Sequence, residues 1–432
     1  MIAVRSAKSG RSFSSNKAFG RGSLALALAL GLAGATLSGA PAYAAGPSYS
    51  KPFVAVAGSI QTDLDKVKKA PDAAGVAALK AKVEAAMAAA TTPDDKMAAG
   101  NYAVQTGSVS QDSAMQRKGV LLMIDSGKAA PETLPRLHFF AGNFAFEAKE
   151  YDAARKELET AFAGGFSDPD GFVVMAQVLQ AQKQDQESVV YLKKAIDAST
   201  AQGKLAPESW YRSALATAYG ARDYAAAQPL SIALVKAYPT VKSWSMAIVV
   251  QRDLAKLPSQ DTLDLLRLMA RTKSWTEERD YGEFVQAADT RRNPGEVKAV
   301  IEQGVAAGQV DASKQYYAEN LKLANTRIGP DKASLPALEK DARAAGATAV
   351  RLAGAGDAFL SYGESAKAVE LYKMALDKAG VDKPVVLTRL GIAQIDAGDY
   401  AGAKASFLQV EGVRKGMAEL WAAFADQKAA GK

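Results

Sequence analysis

The feature that most constrains this chain is a recurrence. Gly142, Ala154, Leu158 and Ala161 are followed 34 residues later by Ala176, Ser188, Leu192 and Ala195. Gly356, Ala368, Tyr372 and Ala375 are followed 35 residues later by Gly391, Ala403, Phe407 and Val410. Between the two sets, the stretch LATAYGARDYAAAQPLSIALVKAYP places Tyr224, Ala227 and Pro239 at matching positions. Self-similarity at one period marks a unit that buries its apolar face only by stacking on its neighbours. Small, small, large, small at these offsets describes a helix-turn-helix in which the small residues let two helices approach closely. The Ala-rich, straight-chain composition favours helix. No sustained period-two alternation argues for a strand.

The segment AGDYAGAKASF, residues 397–407, reads as the turn into a second helix. Gly398 supplies the loop conformation, Asp399 is the expected N-cap, Tyr400 folds back on the first helix, and Ala403 sits at the closest crossing. With Leu390, Gly391 and Phe407, these residues carry a pattern that resembles the tetratricopeptide repeat. The resemblance implies an all-α fold, a right-handed superhelical solenoid of antiparallel helix pairs whose first helices line a concave surface. The clearest copies lie near 135–168, 169–202, 208–240, 349–382 and 384–413, within a solenoid expected over 93–428. Elsewhere the pattern is degenerate. A helix pair broken around Gly107 is expected, and another over 241–272. A third turns at Asn293-Pro294-Gly295, with Val297 and Ile301 as core positions. A fourth, over 310–345, turns at IGPDKASLP. Met417, Leu420, Trp421 and Phe424 form one apolar stripe at helical spacing, read as a C-terminal capping helix over the last repeat. Residues 45–92 are expected to be a partly helical lead segment.

The first 44 residues differ from the rest. Arg5, Lys8, Arg11, Lys17 and Arg21 precede an apolar run from Leu24 to Leu37, followed by Ala42-Tyr43-Ala44, the small-x-small pattern of a cleavage site. The run is shorter than the roughly 20 residues a membrane span needs, so residues 1–44 read as a secretory signal peptide with the mature chain starting at Ala45. Five of the 53 basic residues and none of the 46 acidic ones lie in this segment, leaving 48 against 46, a net of +2. Nucleic-acid binding, which needs clustered basic surface, is therefore not expected. The chain has no cysteine. That excludes disulfides, thiolate chemistry and a lipid anchor on an N-terminal Cys. The expectation is a soluble periplasmic or secreted protein that is not a lipoprotein and has no membrane span after the signal.

Little in the sequence points to catalysis. His138 is the single histidine and falls at a packing position of its repeat. Gly354-Ala355-Gly356 lacks the third glycine of a dinucleotide loop, Phe359 standing there, and no strand precedes it. Asp94-Asp95 and Glu277-Glu278 are adjacent acids that point apart on a helix and suit helix N-termini. No enzyme activity, cofactor or metal is expected. The resemblance instead implies a partner-binding groove. It carries Arg136, Phe139, Asn143 and Phe146 in one repeat, Gln177 and Gln180 in the next, and Arg212 and Tyr219 in the third. A dicarboxylate clamp is not made, because Phe139, Val173 and Gln177 stand where lysines and asparagines would be needed. In the last two repeats Ala353, Leu360, Thr388, Ile392 and Ile395 are apolar enough to be covered by other helices or to form a separate groove. A protein or peptide partner in envelope assembly or secretion is expected, with an envelope glycan as the alternative. Exposed groove aromatics favour the glycan; buried aromatics with exposed amides and charges favour a protein.

Overall fold

A computed structural model describes residues 46–258 and 261–431; the signal peptide expected over 1–44 and its cleavage point lie outside them. The described residues are helical throughout, with no strand among them. The chain divides into two compact units, the boundary falling between Ser213 and Ala214.

Unit 1 contains α1 (Lys51–Ala57), α2 (Ile60–Lys69), α3 (Ala73–Ala89), α4 (Pro93–Ser110), α5 (Ser113–Asp125), α6 (Leu134–Glu147), α7 (Tyr151–Ala163), α8 (Pro169–Ala181), α9 (Asp185–Ala201) and the start of α10 (Glu208–Gly220). Consecutive helices pack as pairs, α4 on α5, α6 on α7, α8 on α9. The recurrent small residues explain why. A Cβ at Gly142 would lie 2.8 Å from Leu158 Cγ, and Ala154, Leu158 and Ala161 are fully buried beneath it. The N-terminal lead is tied to this stack by α4. Thr92 and Asp95 form a capping box, and the buried Asp95 also accepts from the Ser50 N–H at 3.0 Å. Burial opposes the Asp95 charge, but the hydrogen bonds from Ser50, Thr92 and Thr91 hold its carboxyl well below the usual carboxylate range. The break in the α4–α5 pair comes at Gln111 and Asp112 rather than around Gly107. Gly107 stays helical because α5 presses on it: a Cβ there would meet Gln116 Cγ at 2.6 Å and Asp112 O at 2.8 Å.

One turn geometry repeats in all five clear copies. Lys149, Lys183, Arg222, Gly363 and Gly398 each adopt a left-handed conformation, φ +62°, +60°, +55°, +76° and +83°. The N–H that follows each reaches back across the turn to the carbonyl of Ala145, Leu179, Ala218, Phe359 and Gln394, at 2.8–3.0 Å. This is the helix C-cap that glycine favours, yet three of the five turns use a long basic residue. In the Gly398-Asp399-Tyr400 turn, Asp399 accepts from Gly402 N–H at 2.8 Å as the N-cap.

Unit 2 continues with α11 (Tyr224–Ala237), α12 (Val241–Leu254), α13 (Thr262–Thr272), α14 (Glu278–Ala288), α15 (Pro294–Ala306), α16 (Gln315–Ala342), α17 (Ala349–Ser361), α18 (Ser365–Leu376), α19 (Lys383–Asp396), α20 (Tyr400–Phe407) and α21 (Lys415–Ala429). Gly356, Ala368, Tyr372, Gly391, Ala403 and Phe407 pack where the recurrence places them, Ala227 is equally buried on α11, and Tyr400 is half-buried. Asn293 and Pro294 open α15, and Val297 and Ile301 are fully buried.

Two expectations are corrected here. IGPDKASLP is not a turn: α16 runs straight through Pro330 and Pro336 for 28 residues. Both prolines sit on the exposed side, as do Thr326 and Lys332, whose carbonyls lose their partners and face solvent. The packed side continues past them at helical spacing, through Ala324, Ile328, Asp331, Leu335 and Leu338. The C-terminal helix α21 does cover the last repeat, packing on α20, but it also packs on α11 and α12. Beyond the expected stripe, Gly416, Ala418, Ala422, Ala423 and Ala425 are buried as well. It is a helix enclosed on most sides rather than a cap with one wet face.

Candidate partner-binding surfaces

The first helices of unit 1 sort the sequence-derived groove residues into two groups. Phe139 is turned inward, 5% exposed, and stacks on Phe166 with ring centroids 4.5 Å apart. It belongs to the core and offers no groove surface. Asn143 is also buried and donates to Glu147 Oε1 at 3.2 Å one turn on. Phe146 is half-buried against Tyr151 at 6.2 Å. Arg136 remains exposed, its guanidinium over the Phe140 ring at 5.5 Å. Gln177 and Gln180 on α8 are half-exposed, and Gln180 lies 3.5 Å from Ser213 Oγ on α10. Arg212 is half-exposed, 3.8 Å from Glu208 on the preceding turn. Tyr219, in unit 2, donates to Asp253 at 2.6 Å. His138 Nδ1 lies 2.7 Å from Glu157 Oε2, tying α6 to α7. The adjacent acids act as the helix-terminus reading implies. Asp95 caps α4, Glu277 caps α14, and Glu278 pairs with Lys314 at 2.5 Å. Among the described residues no cluster of acids and histidine could hold a metal ion.

The corresponding face of unit 2 is already filled. Leu360, Thr388, Ile392 and Ile395 are buried. Trp421 of α21 is fully buried, stacks on Phe407 at 5.9 Å and donates its indole N–H to Asp264 O at 3.0 Å. The Arg271 guanidinium lies over its ring at 5.4 Å and binds Asp396 at 2.5 and 3.0 Å. Phe424 meets Trp244 edge-on at 5.9 Å. Gln427 accepts from the Trp244 indole at 3.2 Å and donates to Val235 O at 2.7 Å, while Gln228 donates to Glu419. At the start of α21 the backbone of Gly416 lies against Tyr224 Oη and the Gln251 amide, leaving no room for a Cβ.

Beneath α21 lies a buried ionic cluster that inspection of the sequence missed. Asp264 on α13 accepts from Arg267 Nη1 at 2.8 Å, from Arg389 Nε on α19 at 3.3 Å, and from Arg414 Nη2, which immediately precedes α21. Arg414 also donates to Asp261 at 2.5 Å and to Thr388 Oγ1 at 3.3 Å. Arg267 is completed by Glu296 at 2.6 and 2.8 Å, and Arg389 by Asp357 at 2.6 Å. Burial pushes the Asp264 carboxyl up, but Arg389, Arg414 and Arg267 together outweigh it and hold the group well below the carboxylate range. No local sequence pattern marks this cluster. Asp261 stands at the N-cap and Asp264 in the first turn of α13, and their partner Arg414 lies 153 and 150 residues away.

No family model matches the chain. No curated protein matches it either. Among solved structures it is similar to a chain of "Structure of Naa15/Naa10 bound to HypK-THB", at 11% identity and TM-score 0.37, covering 88% of this chain and 64% of that one. It is also similar to "Human IFIT1 dimer with PPP-AAAA", at 12% identity and TM-score 0.23, covering 81% of this chain and 80% of that one. The chain thus spans slightly under two thirds of the first of these. Among the described residues no helix is long and apolar enough to cross a membrane.

Proposed function

We propose that the chain is an exported, non-enzymatic scaffold of the tetratricopeptide type. In this reading it binds a protein segment through the first-helix face of unit 1, in envelope assembly or secretion. One observation carries the choice of a protein over a glycan. The aromatics of that face, Phe139 and Phe146, have their rings against Phe166 and Tyr151, while Arg136 is exposed and Gln177, Gln180 and Arg212 are half-exposed. Sugar rings are gripped by exposed aromatic faces. Amides and guanidinium groups suit the donors and acceptors of a peptide backbone.

The test is site-specific photocrosslinking in living cells, with the crosslinker at Gln177, at Gln180, and at Lys193 on α9 as a control. The reading expects a protein adduct at the two glutamine positions and none at Lys193. An adduct that survives protease and falls to glycosidase would favour the glycan, and adducts at Lys193 alone would remove the first-helix face from consideration. Export has its own check. The N-terminus of the protein recovered from the envelope is expected at Ala45, and retention of Met1 or Ile2 sinks the periplasmic assignment.

A further inference from the structure

The inner face of unit 2 is lined by α11, α12, α13 and α19, and the helix that fills it carries buried arginine and tryptophan side chains of the kind that anchor interfaces. Interfaces concentrate their energy in buried Trp and Arg anchors with satisfied hydrogen bonds. Here Arg414 and Trp421 are both buried and both fully engaged with α13. The lining is complementary in charge: at one end Asp261, together with Asp264, which Arg267 and Arg389 already hold, receives the Arg414 guanidinium. It is also complementary in shape, since Gly416 permits the close approach to Tyr224 and Gln251. Gln251 Nε2, on the α12 side of this contact, is buried without a hydrogen-bond partner. The connection into α21 has the character of a joint. Val410 anchors it in the core, but Leu408 and Val413 on either side are exposed, and Gly412 next to Val413 has φ +69°.

We propose that unit 2 contains a helix-binding groove that α21 occupies as a tethered internal ligand. Its other occupant is an amphipathic helix of a partner protein, led by an arginine and carrying apolar residues at the spacing of Met417, Leu420, Trp421 and Phe424. A short tether raises the local concentration of α21 to roughly millimolar, so a competing helix gains access only where it is abundant or held nearby. This site is separate from the unit 1 face and does not depend on it.

The experiment removes the tether without removing the helix. A protease site is inserted between Leu408 and Gln409 of the full chain, the folded protein is cut, and a fluorescent peptide of residues 412–431 is added. Saturable uptake is expected in the cut protein and little in the uncut one. A peptide carrying Arg414→Ala should bind at least about ten-fold more weakly, the loss of charge-assisted hydrogen bonds. Uncut Gly416→Leu, in which α21 is crowded out, should take up peptide as the cut protein does. If the cut protein keeps its own α21 through a day with excess peptide, or loses the helical signal of unit 2 when α21 leaves, the proposal is overturned and α21 is a core helix only. If tagged and untagged intact chains instead trade α21 and form dimers, the occupant is a second copy and the assignment to a different partner falls.

Discussion

Two glycines on α17 separate a packing requirement from helix propensity, because they share one helix and differ in what faces them. Nothing lies within 4 Å of a Cβ built at Gly354, which is exposed. A Cβ at Gly356 would lie 2.8, 2.9 and 3.0 Å from three carbons of the Tyr372 ring. Carbon atoms are at ease at roughly 3.5–4.0 Å, so the ring would have to retreat by about 0.7 Å or more. It has little freedom to do so. Tyr372 is fully buried, and its hydroxyl donates to Asp357 at 2.6 Å, which in turn holds Arg389. Replacing glycine by alanine inside a helix gains about 1 kcal/mol. Overpacking a well-filled core costs about 1–3 kcal/mol. Gly354→Ala should therefore stabilise the protein by about 1 kcal/mol. Gly356→Ala should lie between neutral and about 2 kcal/mol destabilised, leaving the two variants roughly 1–3 kcal/mol apart. Urea unfolding followed by tryptophan fluorescence suits the measurement, since Trp244, Trp275 and Trp421 of the four tryptophans lie in unit 2. Equal stabilisation by both substitutions would refute the close approach at Gly356, and with it the helix-pair geometry that the recurrence implies.

Other consequences can be checked in the same way. Asp264 has a folded pKa below its unfolded value of about 3.9, so its contribution is present above about pH 4 and lost as pH falls below it. Asp264→Asn should cost about 3–5 kcal/mol near neutrality and flatten the acid side of the melting-temperature profile; an unchanged profile would mean the cluster is not ionised as described. Lys183 holds a left-handed φ of +60° with its side chain exposed. Lys183→Gly should raise stability by about 0.5–1 kcal/mol, whereas Gly363→Lys should lower it, both read from thermal melts. Pro330→Ala should stabilise α16 by up to about 3 kcal/mol. A change smaller than about 0.5 kcal/mol, the level of an ordinary surface substitution, would place a break in the helix there after all.

The sequence by itself determined the helix pairs. Gly142 against Leu158, Gly356 against Tyr372 and Gly391 against Phe407 are each separated by 16 residues, so one turn and two helices suffice to bring them together, and the requirement is written locally and repeated. What the tertiary structure decided lies beyond that range or depends on which way a face turns. Phe139 has the offset of a groove residue, yet it is covered by Phe166 from the following loop. Pro330 and Pro336 look like a turn, but their exposed carbonyl neighbours find water while the opposite side of α16 stays packed. Ala418, Ala422 and Ala425 are compatible with solvent or with a close helix crossing, because a methyl group commits to neither; only the return of α21 onto α11 and α12 chose the second. The ionic cluster follows from the same return. A guanidinium on one side and two carboxylates on the other become partners only when the chain between them has folded, and a pairing made through space leaves no spacing in the sequence to read.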